Sequence, residues 1–140
     1  MDALLCHLED TTRSRICCIR NLETLSYGHI NKVLDNLCFY VDLNGLQIDG
    51  SLDQVVDPRP HDEKFRAFGW NVIVINAHDF NEIEAALKAA REYKGKPTVI
   101  IGNSVKGKGV SFMENNVGWH GKAPNAEEYE IAMRDLGERA

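Results

Sequence analysis

The sequence predicts an α/β fold, with a mostly parallel sheet and helices on both faces. Three apolar runs of strand length alternate with segments whose apolar residues recur at helical spacing. The runs are rich in β-branched residues, which strands favour. Successive parallel strands need crossover connections, and a helix between them supplies one. The predicted order is strand, helix, strand, helix, strand, loop, helix.

The three predicted strands cover residues 36–43 (NLCFYVDL), 70–75 (WNVIVI) and 98–101 (TVII). The first is followed by the turn-forming pair Asn44-Gly45. Ligands of parallel sheets bind beyond the carboxyl ends of the strands. We therefore expect the loops that begin at Asn44, Asn76 and Gly102 to share one rim and to carry the chemistry.

Two helices are predicted between these strands. The first covers residues 60–68, with Pro60 tolerated in its first turn and Gly69 ending it. The second is capped by Asp79, with Glu82 three residues later, and ends near Gly95. Its apolar positions at i, i+3, i+4 and i+7 are Ile83, Ala86, Leu87 and Ala90.

A third helix is predicted after Asn125. Glu128 stands three residues later, which is the spacing of a capping box. The residues expected on one apolar face are Tyr129, Ala132, Met133 and Leu136.

Composition and charge exclude several classes of protein. Of 140 residues, 44% are hydrophobic and 26% are charged, which is typical of a soluble globular protein and too apolar for a disordered one. The net charge of −5, without a long basic run, argues against a nucleic-acid partner. No apolar stretch approaches the roughly 20 residues that span a bilayer, and the N-terminus lacks the features of a signal peptide. We therefore expect a cytoplasmic protein that contacts neither nucleic acid nor membrane.

The cysteines indicate a reducing compartment. Cys6, Cys17, Cys18 and Cys38 show no CxxC spacing, so a zinc site is not expected. Cys17 and Cys18 lie inside an apolar run, residues 16–19, as small buried hydrophobes would. That run is a candidate short strand in a first third that shows no sustained period.

A first candidate site is the segment of residues 42–50 (DLNGLQIDG), which follows the first strand. It combines amide and carboxylate oxygens with Gly45 and Gly50, which let the backbone approach a ligand. Oxygen ligands at a tight turn suit magnesium, which takes one or two carboxylates together with phosphate oxygens and water. The alternative is a hydrogen-bonded turn that binds nothing.

A second candidate site comprises residues 104–110 (SVKGKGV) and 118–122 (GWHGK). Lysines between glycines can line a phosphate pocket, although the spacing is not that of a Walker loop. His120 lies between Trp119 and Gly121, where an imidazole can donate to a diphosphate or shuttle a proton near neutral pH. The alternative is a flexible, solvated loop with neither role.

Several stretches in one order resemble the later part of the N-terminal, diphosphate-binding domain of transketolases. They are LDNL at 34–37, VDLNGLQIDG at 41–50, KFRAFGW at 64–70, His78-Asp79, KGKGVSFME at 106–114 and WHG at 119–121. The resemblance runs from residue 34 to residue 136 and implies a partial thiamine-diphosphate-binding fold. Residues 33–140 are accordingly assigned to the C-terminal part of that domain. Residues 1–32 are assigned to a divergent N-terminal segment of uncertain structure, as if the domain were truncated at its front.

The resemblance also implies a chemistry. Transketolases move a two-carbon ketol unit from a ketose phosphate to an aldose phosphate, using thiamine diphosphate and a divalent cation such as magnesium or calcium. Asn44, through its side-chain oxygen, and Leu46, through its backbone carbonyl, resemble the metal ligands that hold the cofactor. Ile48 resembles a residue that packs against the cofactor. His120 resembles the catalytic loop histidine near the cofactor and the donor sugar.

The sequence departs from the family pattern upstream of Asn44. Family members carry a Gly-Asp-Gly element whose aspartate is the anionic metal ligand, whereas residues 14–20 read SRICCIR here. Asp10 is the nearest acidic residue before this window, but it lacks flanking glycines, so no residue is assigned to the role of anionic metal ligand. Leu43 stands where many members have a second asparagine.

The resemblance further implies a partner. The companion pyrimidine-binding domain supplies the glutamate that activates the cofactor, and a chain of 140 residues cannot contain it. We expect a C-terminal transketolase subunit or a homodimer as partner, sugar phosphates of the pentose phosphate pathway as substrates, and no activity of this chain alone. The alternatives are a non-catalytic remnant or interaction module that keeps the fold, and a related enzyme such as a deoxyxylulose-phosphate synthase or a 2-oxoacid dehydrogenase component. The GLQIDG and KGKGVSFME stretches favour transketolase over the latter.

Overall fold

A computed structural model describes residues 15–16 and 35–137 of the chain. The strands of the main sheet are β1 (Arg15–Ile16), β2 (Leu37–Leu43), β5 (Asn71–Asn76) and β6 (Thr98–Asn103). A small hairpin is formed by β3 (Leu46–Gln47) and β4 (Gly50–Ser51). The helices are α1 (His61–Ala67), α2 (Phe80–Glu92), α3 (Ala126–Gly137) and a 3₁₀ helix (Val117–Trp119).

The main sheet has the order β1-β2-β6-β5, and the β1–β2 and β5–β6 pairs are both parallel. The prediction of a mostly parallel sheet is therefore confirmed. The central strand β6 is buried from Thr98 to Gly102, as expected of a strand covered on both faces. The predicted run at residues 16–19 overlaps β1 at Ile16. The rest of that run lies outside the described residues, as do Cys6, Cys17, Cys18, Asp10 and most of the segment 1–32.

The described residues divide into two compact units. The sheet unit comprises residues 15–16, 35–42 and 59–103, with α1 and α2. The loop unit comprises residues 43–58 and 104–137, with the β3–β4 hairpin, the 3₁₀ helix and α3. All four residues predicted to form the site, Asn44, Leu46, Ile48 and His120, belong to the loop unit.

Helices cover both faces of the sheet, as predicted. On one face Ile75 and Ile100 pack with Ala86 of α2, and Cys38 of β2 packs against this cluster. The next residue, Phe39, contacts Phe65 of α1 with ring centroids 6.0 Å apart. Successive residues of a strand point to opposite faces, so α1 and α2 lie on opposite sides of β2.

The helix boundaries match the predictions closely, but two details of the caps differ. Pro60 occupies the N-cap position of α1 rather than its first turn. Asp79 caps α2 as predicted, accepting from the backbone N–H groups of Asn81 at 2.8 Å and Glu82 at 3.3 Å. The carboxylate of Glu82 accepts from the backbone N–H of Asn76 at 2.7 Å, so it caps the end of β5.

The apolar faces of α2 and α3 are less buried than their periodicity indicates. On α2, Ala86 is buried whereas Leu87 is 48% exposed. On α3, Ala132 is buried but Tyr129 and Met133 are about half exposed. The helical period places these residues on one face, but burial also requires a neighbouring element that covers the face.

An alanine at Gly102 is expected to clash with the side chain of Tyr40, which reaches this glycine from the neighbouring strand β2. A Cβ at Gly102 would lie 1.9 Å from Tyr40 Oη and 2.7 Å from Tyr40 Cζ. We expect Gly102→Ala to lower the free energy of unfolding by about 1–3 kcal/mol, as overpacking of a core does. Urea unfolding followed by circular dichroism measures the loss.

The matched control for this prediction removes the aromatic ring. In a Tyr40→Ala background, Gly102→Ala should lower the free energy of unfolding much less. Two of the three atoms nearest to the added Cβ belong to Tyr40, and the third, Ala77 Cβ, lies 3.1 Å away. An equal loss in both backgrounds would show that the ring is not the cause.

Candidate functional site

Asn44 lies directly after β2 and organises the turn that follows. Its Oδ1 accepts a hydrogen bond from the backbone N–H of Leu46 at 2.9 Å, which is an Asx turn. Gly45 between them has a φ of 75°, a value that favours glycine, and a Cβ there would meet nothing within 4 Å. The backbone carbonyl of Gly45 accepts from the N–H of Leu52 at 3.0 Å. The turn therefore holds the side-chain oxygen of Asn44 against the peptide group of Leu46.

Leu46 starts the β3–β4 hairpin, in which Leu46 pairs with Ser51 and Gln47 with Gly50. Ile48 and Asp49 form its tip, and the side chain of Ile48 is 70% exposed. The side-chain amide of Gln47 donates to the backbone carbonyl of Val56. The turn and the hairpin thus carry Asn44, Leu46 and Ile48 on one short segment, with the side chain of Ile48 exposed.

The lysine- and glycine-rich loop that follows β6 is folded back on itself. Its first residue, Ser104, donates its backbone N–H to the carbonyl of Leu43 at 3.2 Å. Gly107 has a φ of 70°, and a Cβ there would lie 2.6 Å from the backbone oxygen of Met113. Glu114 accepts from the N–H of Gly109 at 2.9 Å. The close approach of two backbone segments therefore explains the glycine between the lysines.

His120 follows the 3₁₀ helix and is exposed. Its backbone N–H donates to the carbonyl of Val117 at 2.9 Å. The helix begins at a cap made by Asn116, whose Oδ1 accepts from the N–H of Gly118 at 2.9 Å. This helix was not predicted from the sequence, although an asparagine two residues before a glycine is a signal for an Asx turn.

A lysine links the segment around His120 to the start of α3. The ammonium group of Lys122 lies 4.0 Å from the ring centroid of Trp119 and 3.1 Å from Oε1 of Glu128. Glu128 and Asn125 form the predicted capping box, with N–H to oxygen distances of 2.8 and 2.9 Å. The N–H of Asn125 first, and Lys122 second, lower the pKa of Glu128. Any stability that this carboxylate contributes is therefore present above its unfolded pKa and is lost only as the pH falls through the lower folded value.

No group of three His, Cys, Asp or Glu side chains within residues 35–137 is arranged to hold a metal ion. Cys38 is half-buried, and its burial raises the pKa of the thiol, in keeping with a structural role. None of the helices described has the length and apolar character that a membrane span requires.

A family model for the thiamine-diphosphate-binding domain of transketolases matches residues 20–139. The chain belongs to this family. The predicted resemblance is thereby confirmed, and the hairpin of Asn44 and the loop of His120 both fall inside the matched region.

Two bacterial relatives of this transketolase domain are themselves named as subunits. An apulose-4-phosphate transketolase subunit of Phocaeicola vulgatus is 38% identical over 106 residues, which cover 76% of this chain and 38% of the relative. A 6-deoxy-6-sulfo-D-fructose transketolase subunit of a Clostridium species is 38% identical over 103 residues, covering 74% of this chain and 38% of the relative. The chain therefore spans well under half the length of these relatives.

Solved transketolase structures share the fold. The crystal structure of the Campylobacter jejuni enzyme superposes with a TM-score of 0.73 at 31% identity, covering 82% of this chain and 18% of that enzyme. A Pichia stipitis transketolase in complex with sedoheptulose 7-phosphate gives a TM-score of 0.73 at 27% identity, covering 82% of this chain and 17% of that enzyme. The α/β sheet described above is thus part of a transketolase thiamine-diphosphate-binding domain.

Proposed function

We propose that this chain contributes the diphosphate-binding half of a transketolase active site. The site holds thiamine diphosphate and a divalent cation, and it serves the transfer of a two-carbon ketol unit between sugar phosphates. The observation that carries the proposal is the turn at the end of β2, in which Asn44 Oδ1 is held 2.9 Å from the backbone nitrogen of Leu46. This turn lies beyond the carboxyl end of a strand in a parallel sheet, where ligands of such sheets bind.

The residues of this turn fit a hard divalent cation. Magnesium and calcium prefer oxygen ligands, and both accept amide and backbone carbonyl oxygens. Asn44 would supply its Oδ1 and Leu46 its carbonyl oxygen. An amide oxygen has two lone pairs, so a turn hydrogen bond and a metal bond are compatible on one atom. Because both ligands are neutral, the diphosphate would provide most of the negative charge at the cation.

The other two site residues would act on the cofactor and the sugar. When bound, thiamine diphosphate supplies the nucleophilic carbon and the electron sink of the reaction. Ile48, 70% exposed at the tip of the hairpin, offers an apolar contact for the cofactor. The exposed imidazole of His120 can donate a hydrogen bond or move a proton through its ring nitrogens near neutral pH.

We also propose that the pyrimidine-binding domain reaches this site from a partner chain. The partner is a transketolase C-terminal subunit or, as the alternative, a second transketolase chain in a homodimer. Support comes from the two relatives that are named as subunits. In this proposal the substrates are sugar phosphates of the pentose phosphate pathway, and the enzyme acts in the cytoplasm. This chain has no ketol-transfer activity without its partner.

The proposal is tested by isothermal titration calorimetry of the purified chain with thiamine diphosphate and magnesium, alone and mixed with a transketolase C-terminal subunit. We expect metal-dependent binding in the mixture. The matched controls are thiamine, which lacks the diphosphate, and thiamine diphosphate with a chelator. Binding that survives the chelator would contradict the metal-bridged site.

A second candidate function is a non-catalytic module that keeps the fold without the cofactor. It is favoured by one observation, the sequence upstream of Asn44, where residues 14–20 read SRICCIR in place of the family's Gly-Asp-Gly element. Absence of heat in both titrations, together with a folded circular dichroism spectrum, would support this module and reject the enzymatic proposal.

A further inference from the structure

The segment around His120 is closed by a contact between the residues on its two sides. Trp119 precedes His120, Gly121 follows it, and the ammonium group of Lys122 lies 4.0 Å from the Trp119 ring centroid. Gly121 has a φ of 80°, a left-handed conformation that reverses the chain. His120 and Gly121 therefore form the exposed apex of a short loop whose two ends touch.

Both ends of this loop are anchored to other parts of the loop unit. The ring of Trp119 packs on Phe112 with centroids 5.0 Å apart. On the other side, Lys122 pairs with Glu128 in the first turn of α3, at 3.1 Å. The second oxygen of Glu128 is engaged by the backbone N–H of Asn125 at 2.8 Å. The contacts form a continuous series from Phe112 to α3.

We propose that Lys122 is a positioning residue, which presents the imidazole of His120 by bridging the Trp119 ring and the Glu128 carboxylate. This inference rests on the proposed function, because it assigns a purpose to the geometry of His120. Lys122 acts through the loop and not on the substrate. Trp119 and Glu128 are the two groups between which it is held.

Lys122 is expected to affect the conformation of the loop more than the free energy of unfolding of the chain. An exposed ion pair contributes little to folding, because solvent screens it and ordering two side chains costs entropy. The same cation over an aromatic face adds a second contact, and together the two contacts fix one loop conformation. A proton-transferring group must lie within hydrogen-bond reach of its target, so a small displacement of His120 has a large effect on rate.

The first test measures backbone motion in the full chain by ¹⁵N relaxation at His120 and Gly121. In the wild-type chain we expect order parameters above about 0.8, and in Lys122→Met we expect values below about 0.6. Lys122→Arg should restore the wild-type values, because a guanidinium group also pairs with a carboxylate and stacks on an aromatic ring. Glu128→Gln is a second variant, which keeps an acceptor for Asn125 but removes the charge that Lys122 contacts.

The matched control removes a different exposed ion pair. Arg66 pairs with Asp62 within α1, so Arg66→Met deletes a comparable surface charge in the sheet unit. We expect the order parameters at His120 and Gly121 to stay at wild-type values. Loss of order in both methionine variants would mean a general effect of charge removal, and would overturn the positioning role.

The second test uses the complex with a transketolase C-terminal subunit. Lys122→Met should lower kcat about 10-fold to 100-fold, as misplacement of a reacting group does, with unchanged affinity for thiamine diphosphate. Lys122→Arg should recover most of the rate. Unchanged order parameters in Lys122→Met would overturn this inference whatever the turnover. A wild-type complex that binds no cofactor would reject the proposed function and leave the relaxation result intact.

Discussion

Asn44→Ala is expected to weaken metal-dependent binding of thiamine diphosphate by at least about 10–100-fold, the loss typical of removing even an indirect partner of a metal site. The substitution removes the Oδ1 atom that the turn holds 2.9 Å from the backbone nitrogen of Leu46. It therefore deletes a proposed metal ligand and a turn hydrogen bond together. The dissociation constant is measured by calorimetry on the complex with a C-terminal subunit, at fixed magnesium concentration.

Two further variants separate the ligand role of Asn44 from its role in the turn. Asn44→Asp keeps a side-chain oxygen for Leu46 and adds negative charge, so it should bind the cation at least as well as the wild-type chain. Asn71→Ala removes a different asparagine contact, the one from Asn71 Nδ2 to Thr98 Oγ1 at 3.1 Å at the amino end of β5, and should leave affinity unchanged. If Asn44→Asp has the wild-type free energy of unfolding but binds thiamine diphosphate as weakly as Asn44→Ala, the side-chain oxygen of residue 44 is not a metal ligand.

The elements of the fold were predictable where local sequence determines them. Residues 98–101 are an apolar β-branched run, and β6 covers them and extends to Asn103. The cap at Asp79 was predictable because its contacts are local, to the backbone N–H groups two and three residues later. The contact of Glu82 with Asn76 was not, since it depends on where β5 ends relative to α2. The β3–β4 hairpin was missed because strands of two residues carry no readable period.

The candidate site was predictable in its components but not in its contacts. The Asn44-Gly45 pair predicts a turn from composition alone, and the structure adds which N–H the side chain accepts. His120 was identifiable as a residue, but the partners of the neighbouring Lys122 are Trp119 and Glu128, on either side of a loop. The exposure of Ile48 could likewise not be predicted, because an apolar residue in a sequence is equally compatible with a core position. It follows from the position of Ile48 at the tip of the hairpin.

His120→Ala is expected to reduce turnover of the complex by about 10²–10⁴-fold, the range typical of losing a general acid or base. Binding of thiamine diphosphate should change much less than this, because Asn44 and Leu46 would still hold the cation and the diphosphate. Stopped-flow or steady-state ketol-transfer assays give kcat, and calorimetry gives the affinity. His61→Ala, which alters the histidine at the start of α1, is the matched control and should keep wild-type turnover. A large loss of affinity with little change in kcat would instead make His120 a diphosphate ligand.

The His120→Ala variant also decides whether Lys122 acts through His120. Mutations of residues that act as one unit are not additive, whereas independent effects multiply in rate. If Lys122 only positions the imidazole, Lys122→Met should lower kcat in the wild-type background and have no further effect in His120→Ala. If Lys122 contacted the substrate itself, the double variant would be slower than His120→Ala by the full factor. The two possible roles of Lys122, positioning His120 or contacting the substrate, thus predict different kcat values for the double variant.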